Sequence, residues 1–327
     1  MDDRSLTPEE VAEELRVSRF TIYDLIKRGE LQAFRVGRKM RILRSALDSF
    51  TTSSAAVDAA PDAAAAAAPV TAPDATTLAS PPGAARHLRD TTRDGFVVCG
   101  QDIVLDILVR HLDLELPEHR FLRSHDGSCN ALWALYHGRA DIASTHLWDA
   151  DSNDYNIPYV RRLLPGCSTL IVNVLYRHAG FYVAPDNPKA VHDWSDLQRP
   201  DISMINRELG SGVRVLLDEK LKQLKIDTAR ITGYSHVERS HPAIASAVAR
   251  GHADVGVGVE KVARQVDGID FVPLQKERYD IVLRKEDAEL EPYRTVLSVL
   301  RSAEFREEIA AIGGYDVSDM GKVMAEI

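Results

Sequence analysis

Residues 206–214 join a short apolar segment to a pattern that is typical of a helix. The apolar segment covers residues 201–205, and residues 213–224 carry apolar side chains at helical spacing. We therefore expect a strand to pass directly into a helix here. Backbone N–H groups without partners and the positive end of the helix dipole meet at such a junction, and together they favour a bound anion.

The residue types within this junction suit close contact with a ligand. Gly210 and Gly212 allow the backbone to approach a bound group, and Ser211 can cap the helix and offer its hydroxyl. An ordinary Gly-Ser helix cap has the same composition, however. Neither a Walker A lysine nor a complete GxGxxG pattern accompanies it, so this segment alone leaves both interpretations open.

Two further junctions of the same kind occur upstream. Gly127 and Ser128 lie between a predicted strand and a predicted helix, and Gly100, Gln101 and Asp102 occupy a similar place. Ligands of α/β proteins bind at the carboxyl ends of strands, where these loops would meet. The sequence therefore predicts a cleft in which three helix N-termini face one anion.

Four side chains near these loops could add contacts to the anion. Arg207 and Arg214 could form charge-assisted hydrogen bonds, although Arg214 could equally pair with Asp218 one helical turn later. His146 follows a predicted strand, and His241 precedes a proline at a predicted helix start. For both histidines the alternatives are ligand contact and a structural role, which for His241 would be a helix cap.

The charge of the chain is distributed unevenly. Its 327 residues leave room for two domains, and its formal net charge is −9. Residues 16–44 carry nine Lys or Arg against two acidic residues, whereas residues 51–327 carry 30 basic and 40 acidic residues. This asymmetry indicates a small basic module, for which nucleic acid is the natural partner, attached to an acidic body.

Residues 1–50 are predicted to form a winged helix-turn-helix domain. Thr7 begins a first helix, and the apolar residues of segment 22–26 fall on one face of a second. Residues 32–36 and 39–43 alternate as the two strands of a wing. The N-terminal end of the second helix would contact base edges, and the cations of the wing would contact phosphates.

The predicted DNA-binding residues are Ser18, Arg19, Phe20, Thr21, Tyr23, Lys27, Arg38, Lys39 and Arg41. Phe20 has no role in the predicted core, and contact with a thymine methyl group would explain it. Because one such helix reads few base pairs, we expect a homodimer or higher homo-oligomer on double-stranded operator DNA.

The remainder of the chain separates into a linker and a larger domain. Residues 51–92 are rich in Ala, Pro, Ser and Thr and lack the apolar side chains of a core, which indicates a disordered linker. Residues 93–327 alternate predicted strands with helices, which indicates an α/β fold with a parallel sheet. The apolar strands in its second half are predicted over 169–175, 180–183, 271–274 and 279–283.

The sequence predicts a cytoplasmic protein. Its N-terminus lacks the apolar core of a signal peptide, and no segment reaches the roughly 18 apolar residues of a membrane span. The three cysteines, Cys99, Cys129 and Cys167, match no metal or redox spacing. We therefore expect buried thiols, no cofactor, no protein-coordinated metal cation and no membrane partner.

The N-terminal segment resembles the winged helix-turn-helix of excisionase and MerR-type proteins, which implies DNA binding. The residues that carry this resemblance are 6–12, 17–23, 26–31 and 36–39. Phe20 departs from the pattern, since these sequences usually have a small polar residue at that position.

Residues 95–285 resemble the periplasmic-binding-protein-like domain of type II, in the version related to molybdate- and tungstate-binding proteins and fused to helix-turn-helix regulators. The resemblance implies two lobes, joined by crossing strands at 169–183 and 271–283, that close on tungstate, molybdate or another small ligand. Val213 replaces the usual threonine of the ligand loop, and Gln101 stands where a serine or histidine is common. The segments that carry this resemblance are 127–147, 155–158, 206–218, 233–234 and 247–258.

These observations lead to one main interpretation and two alternatives. The main one is a one-component transcriptional regulator, not an enzyme, that binds operator DNA and senses a small anion. The first alternative is an enzyme or binding protein for a phosphorylated or pterin-like small molecule, although no catalytic residue set recommends itself near the Gly-Ser loops. The second, a solute carrier for a transporter, conflicts with the missing signal peptide and with the DNA module.

Overall fold

The computed structural model describes residues 5–15, 22, 26, 31, 33–36, 39–47 and 95–327. The chain divides into two compact units, Met1–Ala79 and Ser80–Ile327. The predicted linker, residues 51–92, lies outside the described residues.

The first unit contains a capped helix and a small antiparallel sheet. Helix α1 (Pro8–Glu14) begins as predicted at Thr7, whose hydroxyl oxygen accepts a hydrogen bond from the backbone N–H of Glu10 at 3.2 Å. The Glu10 carboxylate in turn accepts from the backbone N–H of Thr7 at 2.7 Å. This reciprocal pair is a capping box, which stabilises the first turn of the helix.

The sheet of the first unit has one strand more than the predicted wing. Strand β2 (Phe34–Val36) pairs antiparallel with β3 (Lys39–Leu43), and the unpredicted β1 (Ser5–Leu6) pairs with the other edge of β3. Its described core consists of Leu6, Val11, Ala12, Ile22, Leu31, Ile42 and Leu47.

Two of the predicted DNA contacts, Lys39 and Arg41, lie on the described strand β3. Arg41 lies on β3 opposite Phe34, and the backbone of Lys39 pairs with Val36 at the turn of the wing. The predicted contacts that lie outside the described residues are Ser18, Arg19, Phe20, Thr21, Tyr23, Lys27 and Arg38.

The second unit is built on one mixed sheet of nine strands. In spatial order the strands are β11, β10, β12, β9, β13, β6, β4 and β5, with β14 paired to β9. Neighbours within each end of the sheet are parallel, whereas the contacts of β9 and β13 are antiparallel. The strands are β4 (Phe96–Cys99), β5 (Phe121–Ser124), β6 (Ile142–Thr145), β9 (Thr169–Val183), β10 (Met204–Arg207), β11 (Val237–Glu238), β12 (Val255–Val259), β13 (Asp270–Arg284) and β14 (Val323–Glu326). A separate two-stranded pair consists of β7 (Trp148–Asp149) and β8 (Asp154–Tyr155).

Helices cover both faces of each end of this sheet and make two lobes. The helices of the first lobe are α2 (Ile103–Glu115), α3 (Ser128–Tyr136), α4 (Ile157–Leu163), α8 (Glu291–Arg301) and α9 (Ala303–Ile312). Those of the second lobe are α5 (Gly212–Gln223), α6 (His241–Ala249) and α7 (Glu260–Ala263). Each lobe has an apolar core on both faces of its sheet, as an α/β layer architecture requires.

The long strands β9 and β13 run from one lobe into the other. The apolar pattern predicted each of them as two shorter strands, because polar residues such as Arg177 interrupt the apolar runs, whereas the family resemblance implied continuous crossing strands at 169–183 and 271–283, which the structure confirms. In the structure both continue for 15 residues, and Arg177 lies opposite Glu277 at the point of crossing. Because Arg177 and Glu277 pair with each other, both polar residues can lie within continuous strands. The break in the apolar pattern therefore marks the place where the strands cross between the lobes, which we call the hinge.

The predicted two-lobed α/β fold is therefore confirmed, but its sheet is mixed and not parallel throughout. The antiparallel contacts arise because the two crossing strands run in opposite directions between the lobes. None of the helices in the described part of the chain is long and apolar enough to cross a membrane.

Candidate ligand-binding site

The loops at the carboxyl ends of the strands meet in a small cavity between the two lobes. The first lobe contributes the turns after β4, β5 and β6, and the second contributes the turn after β10 and the start of α6. Arg177 and Tyr279 reach the cavity from the crossing strands. The lining residues are Gln101, Asp126, Gly127, Ser128, Ser144, His146, Arg177, Arg207, Ser211, Gly212, His241 and Tyr279.

Three helices begin at this cavity. Helix α3 has Gly127 as its N-cap residue, α5 has Ser211, and α6 has Ser240. The first amides of a helix have no partner within it, and the dipole places positive charge at the same end. The arrangement provides neutral donors and a positive potential at one point, which suits a small anion.

Two hydrogen bonds join the lobes at the edge of the cavity. The backbone N–H of Cys129 donates to the carbonyl of Gly210 at 3.0 Å. The guanidinium Nη2 of Arg207 donates to Oε1 of Gln101 at 2.8 Å. The lobes are therefore in contact on both sides of the cavity, as in a closed binding cleft.

Two of the three serines of the cavity, Ser128 and Ser211, use their hydroxyl groups differently. The Ser211 hydroxyl donates to the carbonyl of Glu208 at 3.0 Å and makes no capping bond to its own helix. The Ser128 oxygen instead accepts a hydrogen bond from the backbone N–H of His146 at 3.3 Å. Ser128 therefore keeps its proton for a ligand in this conformation, as does Ser144, whose oxygen accepts a hydrogen bond from Tyr279.

A buried ion-pair network supports the base of the cavity. Arg177 donates through Nε to Glu277 Oε1 at 2.6 Å and through Nη1 to Asp102. The second oxygen of Glu277 lies 2.9 Å from Nδ1 of His146. Burial favours the uncharged form of Arg177 and would lower its pKa. The nearby carboxylates of Glu277 and Asp102 outweigh this effect and raise the pKa. Burial would raise the pKa of Glu277, but Arg177 and His146 lower it to about 2.

Both arginines of the cavity have their charge balanced by carboxylates. Arg207 is almost completely buried, and it bonds Glu208 through Nε and Nη2, each at 2.7 Å. Arg177 is balanced by Glu277 and Asp102. The attraction for an anion therefore comes mainly from backbone amides, helix ends and hydroxyl groups, with little uncompensated side-chain charge.

His146 and Gly212 form a close contact between the lobes. A Cβ atom added to Gly212 would lie 2.2 Å from Cε1 of His146, too close for any side chain. The imidazole of His146 therefore lies against the N-terminus of α5. This contact explains why glycine is needed at this position even though its φ is not positive.

His241 is the first residue of α6, and the cap of that helix is Ser240, not His241 as one alternative held. The Ser240 hydroxyl accepts from the backbone N–H of Ala243 at 3.2 Å. Burial, followed by the charges of Arg207, Arg177 and His146, lowers the pKa of His241 well below its usual value. Its imidazole is therefore neutral near pH 7, and its buried Nδ1 has no hydrogen-bond partner in the described part of the chain.

Five predicted ligand residues do not line the cavity. Val213 packs in the core of the second lobe, and Asp102 caps α2 and binds Arg177. Arg214 forms the ion pair with Asp218 that the sequence left as an alternative, with Nε 2.9 Å from Oδ2. The remaining two, Gly100 and Gly210, flank the cavity without lining it.

Four lining residues were not among the predicted ligand contacts. The Tyr279 hydroxyl donates to Ser144 Oγ at 2.7 Å, and Ser144 lies one strand residue before the end of β6. Arg177 and Tyr279 come from the crossing strands. Asp126 accepts from the Ser124 hydroxyl at 2.5 Å. Asp126 directly precedes Gly127 and Ser128, which the sequence predicted as ligand contacts. Its position in the same loop could therefore have predicted that it lines the cavity.

The cavity is small and polar. Its volume is about 10 Å³, on the order of a single water-sized sphere. No aliphatic side chain is found among the described residues that line it. A cavity of this size is far smaller than the roughly 300–1,000 Å³ of sites for drug-sized ligands. No cluster of three or more His, Cys, Asp or Glu suited to a metal ion occurs in the described ranges.

Comparisons with known proteins define the class of this protein. Residues 5–54 match the family model of a helix-turn-helix domain, and residues 109–301 match that of the PBP superfamily domain. The chain combines a DNA-binding domain with a ligand-binding domain of the periplasmic-binding-protein type. This combination supports a ligand-responsive regulator.

Similar proteins cover the whole chain. The uncharacterized protein YvgK of Bacillus subtilis (strain 168) is 41% identical over 322 residues, which is 98% of each chain. A putative phosphate ABC transporter substrate-binding protein from Clostridium perfringens, with bound phosphate, superposes with a TM-score of 0.52 at 14% identity, covering 68% of this chain and 98% of that one. OxyR from Corynebacterium glutamicum superposes with a TM-score of 0.50 at 14% identity, covering 94% of this chain and 89% of that one. The chain belongs to the PBP superfamily, in the form that carries an N-terminal helix-turn-helix domain.

Proposed function

We propose that this protein is a one-component transcriptional regulator, and not an enzyme, that closes its cleft on a small tetrahedral oxyanion. Tungstate and molybdate are the first candidates for the effector. The observation that carries the proposal is the meeting of three helix N-termini and three serines in a polar cavity of about 10 Å³. Such a site offers donors to every face of a compact anion.

The parts of the chain have separate roles in this proposal. Residues 1–50 bind operator DNA, residues 51–92 connect the two domains, and residues 93–327 sense the ligand. Because one helix-turn-helix reads few base pairs, the active form is a homodimer or higher homo-oligomer. The protein acts in the cytoplasm, where the DNA is.

The contacts to the oxyanion follow from the atoms that are available. Ser128 donates its hydroxyl, and amides at the starts of α3 and α5 donate from opposite lobes, except that of Cys129, which is bound to Gly210. Ser211 exchanges its bond to Glu208 for one to the ligand. An anion held by both lobes favours the closed state, and a preference of about 1–3 kcal/mol for that state is enough for useful regulation.

Hydrogen phosphate is a second candidate, which the presence of Asp126 in the lining favours. A carboxylate repels a fully ionised dianion but accepts a hydrogen bond from a ligand that still carries a proton. The phosphate-bound relative from Clostridium perfringens supports the same class of ligand. Asp126→Asn separates the candidates: it should strengthen tungstate binding, and it should weaken phosphate binding if phosphate is the effector.

The experiment that tests the regulatory function selects genomic DNA fragments on the purified full chain and measures their binding with and without tungstate, molybdate or phosphate. We expect a discrete set of fragments, and a change of at least about fivefold in affinity with one anion. Selection of no fragment, or the same affinity with every anion, would contradict a regulator of this kind. Turnover of a phosphorylated substrate would support the enzymatic alternative.

A further inference from the structure

A second and larger chamber lies outside the candidate oxyanion site, between the same two lobes. Its volume is about 350 Å³, within the range of sites that hold organic ligands of drug size. Gln101, Arg177 and His241 line both cavities and form the wall between them. The chamber is therefore adjacent to the oxyanion site but has room that no inorganic oxyanion needs.

The lining of the chamber is partly apolar, unlike that of the oxyanion site. Ile103 and Tyr315 contribute from the first lobe, and Pro242 and Val262 contribute from the second. The hydroxyl of Tyr315 donates to Asp102 at 3.0 Å, so that its polar atom is already satisfied. Apolar groups on both sides favour a ligand with a hydrocarbon body.

The charged groups of the chamber favour an anion. Arg239 is exposed at its rim, and Lys261 donates one hydrogen bond to the carbonyl of Ile312 at 2.7 Å. An ammonium group has three donors, so Lys261 can still bind a ligand. The acidic residue of the lining, Asp102, is bound to Arg177 and Tyr315. The chamber therefore presents two cations against one carboxylate that is already paired.

The start of α6 adds a polar contact that points to a ligand. This helix has nine residues, and its first residue, His241, carries a buried Nδ1 atom with no hydrogen-bond partner among the residues described. Most buried polar atoms in proteins have a hydrogen-bond partner, so this atom is open to a partner from the cavities that His241 lines.

We propose that the outer chamber is a second binding site, which takes an organic anion with one carboxylate or sulfonate group and a compact apolar body. The anionic group faces Lys261, Arg239 and the start of α6, and the body packs between the apolar residues of the two lobes. The site is separate from the oxyanion site and does not depend on which ion binds there.

The test is isothermal titration calorimetry of the full chain with 1-naphthoate, with 1-naphthamide as the uncharged analogue. We expect saturable binding of one 1-naphthoate per chain. Loss of the charge should weaken binding by about tenfold, since hydrogen bonds to charged groups are the stronger ones. No saturable binding of 1-naphthoate would overturn the proposal.

Two matched variants locate the binding. Ile103→Trp fills the chamber from an exposed position (49% exposed), and Leu114→Trp places the same side chain elsewhere on α2 (75% exposed). Binding of 1-naphthoate should fall by at least about tenfold in the first variant and stay unchanged in the second. Equal affinities in the two variants would overturn the assignment to this chamber.

A parallel titration with tungstate and phosphate separates this proposal from the proposed function. Ile103→Trp should bind the oxyanion as the unmodified protein does, because Ile103 does not line the inner cavity. If no oxyanion binds to any of the proteins while 1-naphthoate does, the proposed effector class fails and the second site stands. If an oxyanion binds while 1-naphthoate does not, the proposed second site is contradicted and the proposed effector class is not.

Discussion

Arg177 and Glu277 lie directly opposite each other on the two crossing strands, with Nε of Arg177 2.6 Å from Oε1 of Glu277. The other carboxylate oxygen lies 2.9 Å from Nδ1 of His146, and the ring of His146 lies against Gly212 in the second lobe. The hinge, the first lobe and the start of α5 are therefore linked through three side chains. This link makes the shape of the cavity sensitive to the charge at position 277.

We expect Glu277→Gln to destabilise the second unit by about 1.5–3 kcal/mol, because it removes one of the two carboxylates that balance the buried charge of Arg177 and leaves Asp102 as the other. The three tryptophans, Trp133, Trp148 and Trp194, all lie in this unit, so their fluorescence reports its unfolding in the full chain. Guanidinium titrations followed by this signal measure the free energy of unfolding. Glu118→Gln, which makes the same change at an exposed carboxylate, is the control.

The same pair predicts a pH dependence of stability. The pKa of Glu277 falls from its ordinary 4.5 to about 2 in the folded protein. Its contribution to stability is therefore complete above about pH 4.5, and it is lost as the pH falls toward about 2. The free energy of unfolding of Glu277→Gln should vary less with pH in this window. Parallel curves for the variant and the unmodified protein would show that the carboxylate is not held ionised by Arg177.

Gly212→Ala should weaken anion binding by about tenfold or more, because its Cβ would displace the imidazole of His146 or the start of α5. The double variant Gly212→Ala with His146→Ala removes the clash, so it should bind better than Gly212→Ala alone. Calorimetric titration of the three variants completes the double-mutant cycle. Purely additive effects would mean that the two residues do not act through their contact.

Ser128→Ala should weaken oxyanion binding more than Ser211→Ala. The Ser128 proton is available to a ligand, whereas the Ser211 hydroxyl already donates to Glu208. We expect a loss of about tenfold for Ser128→Ala and a smaller one for Ser211→Ala, as measured by titration at constant pH and salt. The opposite order would indicate that the loop of residues 208–211 rearranges when the ligand binds.

Arg41→Ala should weaken the binding of the chain to DNA of any sequence. If Arg41 contacts a phosphate, its loss reduces the slope of log K against log salt by about one per chain. Arg44→Ala is the matched control, because Arg44 already forms an ion pair with Glu14 at 2.8 Å. An unchanged slope for Arg41→Ala would place the wing away from the DNA backbone.

Patterns of neighbouring residues predicted the loops of the site better than the residues of the crossing strands that form its base. Residues 206–214 and the Gly127-Ser128 pair were recognisable because a strand end, a glycine and a helix start are adjacent in sequence. Arg177 was missed because it lies in the middle of a long strand, where a polar residue resembles a gap between two strands, and Tyr279 was missed because it looks like an ordinary residue of its predicted strand, 279–283. Their role depends on pairing across about 100 residues, and no local pattern encodes this.

The ambiguous side chains show the same limit. The spacing of Arg214 and Asp218 suited either a ligand contact or an ion pair, and the packing of Arg214 on the ring of Tyr234 favours the latter. Val213 was included with the ligand loop by resemblance to a family motif, but its apolar side chain is buried in the lobe. Sequence proximity to a loop does not determine the direction in which a side chain points.

The most direct test of the account is calorimetric titration of the full chain with tungstate, molybdate, phosphate and sulfate, repeated on Ser128→Ala. We predict that tungstate or molybdate binds at one site per chain. If Asp126 selects a protonated anion, phosphate binds there instead. We also predict that Ser128→Ala weakens this binding by about tenfold. Absence of binding by all four anions, or binding that Ser128→Ala does not affect, would contradict an oxyanion site between these helix N-termini.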